Sequence, residues 1–403
     1  MSSLLQRFCR YVRVETTANE ASQTYPSSPG QSDLAAVLAE ELRAFGLDAS
    51  MDEFSIVSAL LPGNVEGAPT IAWLAHMDTS PEASGKDVDP QVVETYAGGD
   101  LTLKSGRIIP ACDLQGFQGK TLITTDGITL LGADDKSGVA VIMTALERLL
   151  AQPQRTRCPI RVIFTCDEEI GRGTDKLNLQ TIDAVCAYTL DGEGQGLIEN
   201  ETFSADLAVI KVTGRNIHPG LAYGKMCNAI RAAAKFLEQL PPELSPERTC
   251  ERQPFLHPYV IEGGVAEVTV RVLLRSFHTP DLVEMAQRLR LAAQSVMEAM
   301  PEATLEVEVK EQYRNMAEYL AKEPRAVALA EQAYRKVGLE PVFKSIRGGT
   351  DGSRLSEMGL PTPNLSTGMH NFHCEQEFAC LDEMETAVTV LLELATLWSE
   401  QKA

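Results

Sequence analysis

The chain has 403 residues, 44% of them hydrophobic and 23% charged, with a formal net charge of −20. That length is more than one core usually organises, and no run approaches the roughly 18 apolar residues a membrane helix needs. The acidic balance repels phosphate backbones and anionic lipid, and no basic stripe offsets it, which argues against nucleic-acid and membrane partners.

The first residues, MSSLLQRFCRYVRVETT, carry Arg7, Arg10 and Arg13 among apolar residues at helical spacing and lack the apolar core of a signal peptide. Together with nine cysteines that form no CxxC pair, this predicts a cytoplasmic protein with reduced thiols. Residues 33–45 (DLAAVLAEELRAF) have helical spacing and stop at Gly46. Residues 70–76 (TIAWLAH) read as a buried strand, 122–131 (LITTDGITLL) as a hairpin around Asp126-Gly127, and 137–150 as a helix. Two more strands follow at 160–166 (IRVIFTC) and 187–190.

After Ala205 the pattern changes. Residues 207–212 alternate, 228–240 are helical, 265–274 (VAEVTVRVLL) alternate strictly, and 280–300 form a long helix. This β-α-β-α pattern is similar to an inserted α+β, ferredoxin-like domain with one solvated sheet face. The remainder goes back to the rhythm of the N-terminal part, with a helix at 325–337, a glycine-rich turn at 347–352 and a helix at 381–400. The expected architecture is therefore α/β: a catalytic domain with a central mixed sheet, split into 1–204 and 316–403, and an inserted lid at 205–315.

Charge collects where strands run out. His76 and Asp78 lie two apart at the end of 70–76, so both can face one target, with Asp78 orienting the imidazole. Asp134-Asp135 precede the helix 137–150; they either cap it or face the crevice where open α/β sheets bind ligands. Asp167-Glu168-Glu169 close the strand 160–166, and three consecutive carboxylates repel one another unless cations compensate. Asp191 repeats the arrangement, and two of only six histidines, His370 and His373, flank Asn371-Phe372.

The set points to a metal centre. Two Zn²⁺ would be balanced by Asp134, Glu169, Asp191 and one hydroxide, with His76 and His373 neutral; mixed histidine and carboxylate ligands suit zinc better than calcium or magnesium. One carboxylate must stay free to move protons, and Glu168, beside Glu169, is the candidate general base and acid.

In their order and spacing, HMDTS, GADDK, DEE, YTLDG, GGTDG and NFHCEQE resemble the co-catalytic zinc peptidases related to aminoacylase and carboxypeptidase, over essentially the whole chain. The resemblance implies two Zn²⁺ per subunit, one on His76, Asp134 and Asp191 and the other on Glu169, His373 and a bridging Asp134. It also implies a cis peptide after that aspartate, with Asp78 orienting His76 and Glu168 as base. His218 would stabilise a developing oxyanion, and Asn228, Arg275 and Arg347 would grip a peptide carboxylate, so that a fixed distance to the metals counts residues. The implied activity is removal of the N-terminal residue from tripeptides, with small peptides as the only partners apart from a second copy, in a homodimer through the lid. A dipeptidase, carboxypeptidase or N-acyl deacylase would keep the same metals, and a peptide-binding protein would lack Glu168 or a ligand.

Three stretches depart from the family's pattern. His373-Cys374-Glu375-Gln376-Glu377 stands where HGKHE is common, Glu193 replaces a glycine, and 249–258 (TCERQPFLHP) lacks the usual aromatic and glycine positions. These bear on substrate length and side-chain preference.

Overall fold

The computed structural model describes residues 2–402 in two compact units. One takes in the chain up to Asn200, Glu318–Lys344 and everything from Thr350 on; the other is Glu201–Ala317 with Ser345–Gly349. The expected insertion 205–315 lies inside the second unit, which also takes Ser345–Gly349, a return that the sequence pattern gives to the catalytic part.

The first unit is built on a mixed sheet. Its main path runs Ala49–Met51, Val57–Leu61, Ile160–Thr165, Ile71–His76, Cys186–Glu193, Asn364–His370, Phe378–Cys380, Leu122–Thr124, Gln91–Val93. The strands from Ile160–Thr165 to Asn364–His370 are mutually parallel, and the flanking ones pair antiparallel. Continuous apolar runs such as IAWLAH fit the centre because both faces are covered. Ile71, Trp73 and Ala75 enter the large core that includes the helices Ala133–Ala151 and Leu381–Ser399, whereas Ala72 and Leu74 join Ile163, Leu355 and Leu360 in a smaller one. Each such side chain contributes about 1.5–3 kcal/mol for the larger residues. Trp398 is fully buried and its Nε1 donates to the Tyr188 hydroxyl at 2.8 Å, so no buried donor is left over there.

Because the central strands run the same way, the segments leaving their C-terminal ends gather along one edge of the sheet. The residues His76, Glu168, Glu169, Asp191 and His373 all belong to those ends or to the loops that follow.

The second unit is a four-stranded antiparallel sheet in the order Phe255–Gly263, Glu267–Ser276, Ser204–Thr213, Thr304–Tyr313. Helices Ala229–Glu238 and Thr279–Ala299 share its core, where Ala208, Ile210, Val212, Val268, Val270 and Val272 point inward while Lys211 and Arg271 stay exposed. Chain order is β-α-β-β-α-β, two strands more than the sequence pattern gives. Phe255–Gly263 is an edge strand interrupted by Pro258 and a register shift, and Thr304–Tyr313 is an edge strand carrying charge on its open face. Neither shows the plain alternation of an inner strand.

The hairpin expected around Asp126-Gly127 does not form. Only Leu122–Thr124 is strand, held between Gln91–Val93 and Phe378–Cys380. Asp126 Oδ1 instead accepts from the Ile128 amide, Leu130 N donates to Ser84 O, and Leu131 N donates to Glu377. The longer-range partners win over the local turn. The helix expected at 33–45 starts sooner, at Pro29, which suits a first helical turn because it has no N–H to satisfy. Among the described residues no helix is long and apolar enough to cross a membrane.

Candidate metal centre

His76 is the last residue of its strand and is 3% exposed. Its Nε2 lies 3.0 Å from Asp134 Oδ1 and 3.6 Å from Asp191 Oδ1, while its Nδ1 lies 3.4 Å from Asp78 Oδ1 and 3.2 Å from the Asp78 carbonyl. Asp134 turns its second oxygen the other way, with Oδ2 3.2 Å from His373 Nε2, and that nitrogen is in turn 3.0 Å from Glu169 Oε2. Asp134 thus stands between two imidazoles, each with a further carboxylate at its side.

Several features hold this arrangement. The peptide bond between Asp134 and Asp135 is cis, as the resemblance implies, and both residues are non-helical although they open the helix Ala133–Ala151. Asp78 accepts the amides of Glu168 on Oδ1 at 3.1 Å and Glu169 on Oδ2 at 3.0 Å, so one carboxylate fixes both the imidazole of His76 and the acidic turn. Asp135, wholly buried, accepts from His76 N at 3.2 Å and from Gly138 N at 3.1 Å. Gly138 is required for close approach: a Cβ there would fall 1.9 Å from Leu190 O and 2.4 Å from Asp135 Oδ1. The amide of Asp191 donates to Asn364 Oδ1 at 3.0 Å.

Glu377 is the structural partner that sequence reasoning does not single out. Its Oε2 accepts the amides of Leu131 at 2.6 Å and Gly132 at 2.8 Å, and its Oε1 accepts those of Ala133 at 2.7 Å and Asp134 at 3.1 Å. One buried carboxylate therefore gathers the whole stretch leading into the cis bond. Nothing in NFHCEQE distinguishes it from its acidic neighbours, because its partners are backbone groups far away in the chain.

Electrostatics point to missing positive charge. Burial pushes the carboxyl of Glu168 well above its ordinary range; burial and the neighbouring Asp134 do the same to Asp191, and raise Glu169 to about 7. Against burial, Asp134 and Glu169 lift His373 to about 11, and Asp134, Asp191 and Asp78 lift His76 well above 6.5. Glu169 Oε1 is buried with no hydrogen-bond partner. A bound cation would stabilise the carboxylates and free the imidazoles to act as neutral ligands. Two triads each bring one ligand atom per residue to within 4.8 Å of one another: His76, Asp134 and Glu169, and His76, Asp135 and Asp191. Oxygen and imidazole donors of this kind fit Zn²⁺ or a close neighbour.

The four remaining residues expected to contact substrate lie in the second unit. His218 is exposed in a turn and its Nδ1 accepts from Gly220 N at 3.2 Å. Asn228 caps the helix Ala229–Glu238 through Oδ1, which accepts from Ile230 N at 2.9 Å. Arg275 is buried, donates through Nη1 to the carbonyls of Leu274 and Asp206, and lies over the Tyr313 ring at 5.4 Å. Arg347 donates through Nη1 to the carbonyls of Glu251 and Gln253 and through Nη2 to Thr249, over the rings of Phe203 and Phe255.

The departures from the family pattern also find places. Glu193 makes a surface ion pair with Lys344 at 3.1 Å. Gln376 Nε2 donates to Ile108 O at 2.6 Å, and the Cys374 thiol contacts Asn371 O at 3.1 Å, so both brace the loop that carries His373.

A split sheet domain that collects histidines and carboxylates at one edge, interrupted by an antiparallel-sheet unit, suits metal-dependent hydrolysis. Residues 121–397 match the peptidase family M20/M25/M40, and the chain belongs to this family. Within it, peptidase T of Caldanaerobacter subterraneus subsp. tengcongensis is 44% identical, with all of both chains covered, and peptidase T of Bacillus subtilis is 41% identical over 99% of each. The fold is shared with the crystal structure of aminopeptidase PepT from Bacillus cereus, at a TM-score of 0.78 and 23% identity over 99% of this chain and 98% of that one. It is also shared with a dinuclear metal-binding M20 peptidase of Bacillus subtilis, at a TM-score of 0.66 and 15% identity over 98% and 96%. The protein is a hydrolase that acts on peptides.

Proposed function

We propose that the chain is a di-zinc aminopeptidase that removes the N-terminal residue from tripeptides, with His76, Asp134 and Asp191 on one Zn²⁺ and Asp134, Glu169 and His373 on the other. The observation that carries this is Asp134, whose two oxygens face two different imidazoles at 3.0 and 3.2 Å. Ions bound there would lower the pKa of a water to about 7 and would polarise a carbonyl. Glu168 takes the proton from the attacking water and delivers it to the leaving amine nitrogen, so the peptide bond breaks to an amino acid and a dipeptide. Asp78 holds Glu168 at its backbone amide while it orients His76.

His218 is assigned to the developing oxyanion. His218→Ala should then lower kcat with zinc content unchanged, measured by steady-state kinetics and metal analysis; zinc loss would assign the histidine to the metals instead. For the peptide carboxylate, Arg275 engages only Nη1 with carbonyls and Asn228 only its Oδ1, which leaves donors for a ligand, whereas both terminal nitrogens of Arg347 serve the 249–253 carbonyls. The reading extends to a cytoplasmic enzyme, supported by the absence of CxxC pairs among its nine cysteines, and to a homodimer through the lid, supported by the exposed Tyr259 and Ile261 on the edge strand Phe255–Gly263.

The peptidase T relatives support tripeptides over the dipeptidase, carboxypeptidase and deacylase alternatives. Mass spectrometry of products from zinc-loaded protein with trialanine, dialanine, tetra-alanine and N-acetyl-trialanine tests the choice. Alanine and dialanine from free trialanine alone, abolished by chelation, is the expected outcome. Cleavage of the acetylated peptide would point to one of the alternatives.

A further inference from the structure

Asp351 opens the helix Asp351–Glu357 directly after the glycine-rich turn and is only 8% exposed. Its Oδ2 accepts from the Thr165 hydroxyl at 3.2 Å. Thr165 is the register partner of His76 in the parallel ladder, so this carboxylate stands at the sheet edge where the metal centre lies. The loop after Glu168 and Glu169 makes room for it: a Cβ on Gly173 would fall 2.2 Å from Asp351 Oδ1 and 2.4 Å from Oδ2. Asp351 is nevertheless outside both ligand triads.

A buried carboxylate is stabilised by a cation or by several donors. Among the described residues the Asp351 carboxylate accepts one hydrogen bond, from the Thr165 hydroxyl to Oδ2, and no side chain donates to Oδ1. Burial raises its carboxyl to about 6, which leaves it anionic at neutral pH. Glu168 is committed to proton transfer, and the remaining carboxylates of the cluster either face the imidazoles or, like Asp78 and Asp135, accept backbone amides. Asp351 is the carboxylate of the cluster with no close ion pair of its own among the described residues, His76 and Arg354 acting on it through space. A free peptide supplies a close counter-charge, since its α-ammonium carries three donors and a positive charge.

We propose that Asp351 receives the α-ammonium group of the peptide substrate and so selects for a free N-terminus. This rests on the aminopeptidase reading and adds the residue that would read the amine. Gly173 lets the carboxylate pack directly against the loop of the general base.

The test compares trialanine with its des-amino analogue, propionyl-alanyl-alanine, on wild-type holoenzyme, Asp351→Asn and Asp351→Ser, with zinc content and thermal midpoint measured on each. In the wild type, trialanine should be the better substrate. Both variants should lose roughly 10- to 100-fold in kcat/KM for trialanine, the worth of a hydrogen bond to a charged group. They should leave the des-amino peptide and the zinc content unchanged, collapsing the preference. An equal fall for both substrates would make Asp351 a support of the base loop and overturn the proposal. A wild type that cleaves both peptides equally would instead refute the aminopeptidase reading itself, a result visible before any variant is made.

Discussion

Glu168→Gln is expected to lower kcat on trialanine by about 10²- to 10⁴-fold while zinc content stays at the wild-type level. The substitution preserves shape, and the turn remains held through its backbone, because Asp78 accepts the amides of residues 168 and 169 rather than their side chains. What it removes is a carboxylate that burial already pushes well above its ordinary range, as a group that must both accept and return a proton requires. The zinc measurement separates this role from ligation: Glu169, not Glu168, faces His373. Full activity in the glutamine variant would take Glu168 out of the mechanism.

The second large effect is expected at Glu377. Glu377→Ala leaves the amides of Leu131, Gly132, Ala133 and Asp134 without their acceptor inside the protein. An unsatisfied buried N–H costs about 1–3 kcal/mol, so even with partial relaxation the loss should exceed about 3 kcal/mol in guanidinium unfolding of the metal-free protein. Because the same amides set the backbone of Asp134, zinc affinity should fall by about 10- to 100-fold in competition with a chelator, the usual worth of a group that orients a ligand. Glu377→Gln keeps one acceptor oxygen and should lie between the two. Unaltered stability and zinc affinity in the alanine variant would mean that water replaces the carboxylate and that the loop needs no clamp.

The sequence made some of this legible and hid the rest for physical reasons. Apolar runs such as IAWLAH and IRVIFT announce parallel strands covered on both faces, and charge placed where such runs stop is conspicuous because it interrupts a buried pattern. That is why His76, the DEE run and Asp191 stand out without coordinates. Glu377 and Asp351 do not, because what each one does depends on partners brought close only by the fold: distant backbone amides and a threonine hydroxyl. The second unit shows the same division. Its inner strands alternate cleanly, whereas Phe255–Gly263 is broken by Pro258 and Thr304–Tyr313 mixes charge into an edge, so the pattern yields two strands where there are four. The false hairpin at Asp126-Gly127 is the converse case, a good local turn signal overruled by Ser84 and Glu377.

Anomalous diffraction at the zinc edge, on crystals of the zinc-loaded protein, tests the site most directly. Two peaks about 3.5 Å apart are predicted, with Asp134 spanning them, His76 and Asp191 on one and Glu169 and His373 on the other. A single peak, or a second metal held without Asp134, would contradict the two-metal account.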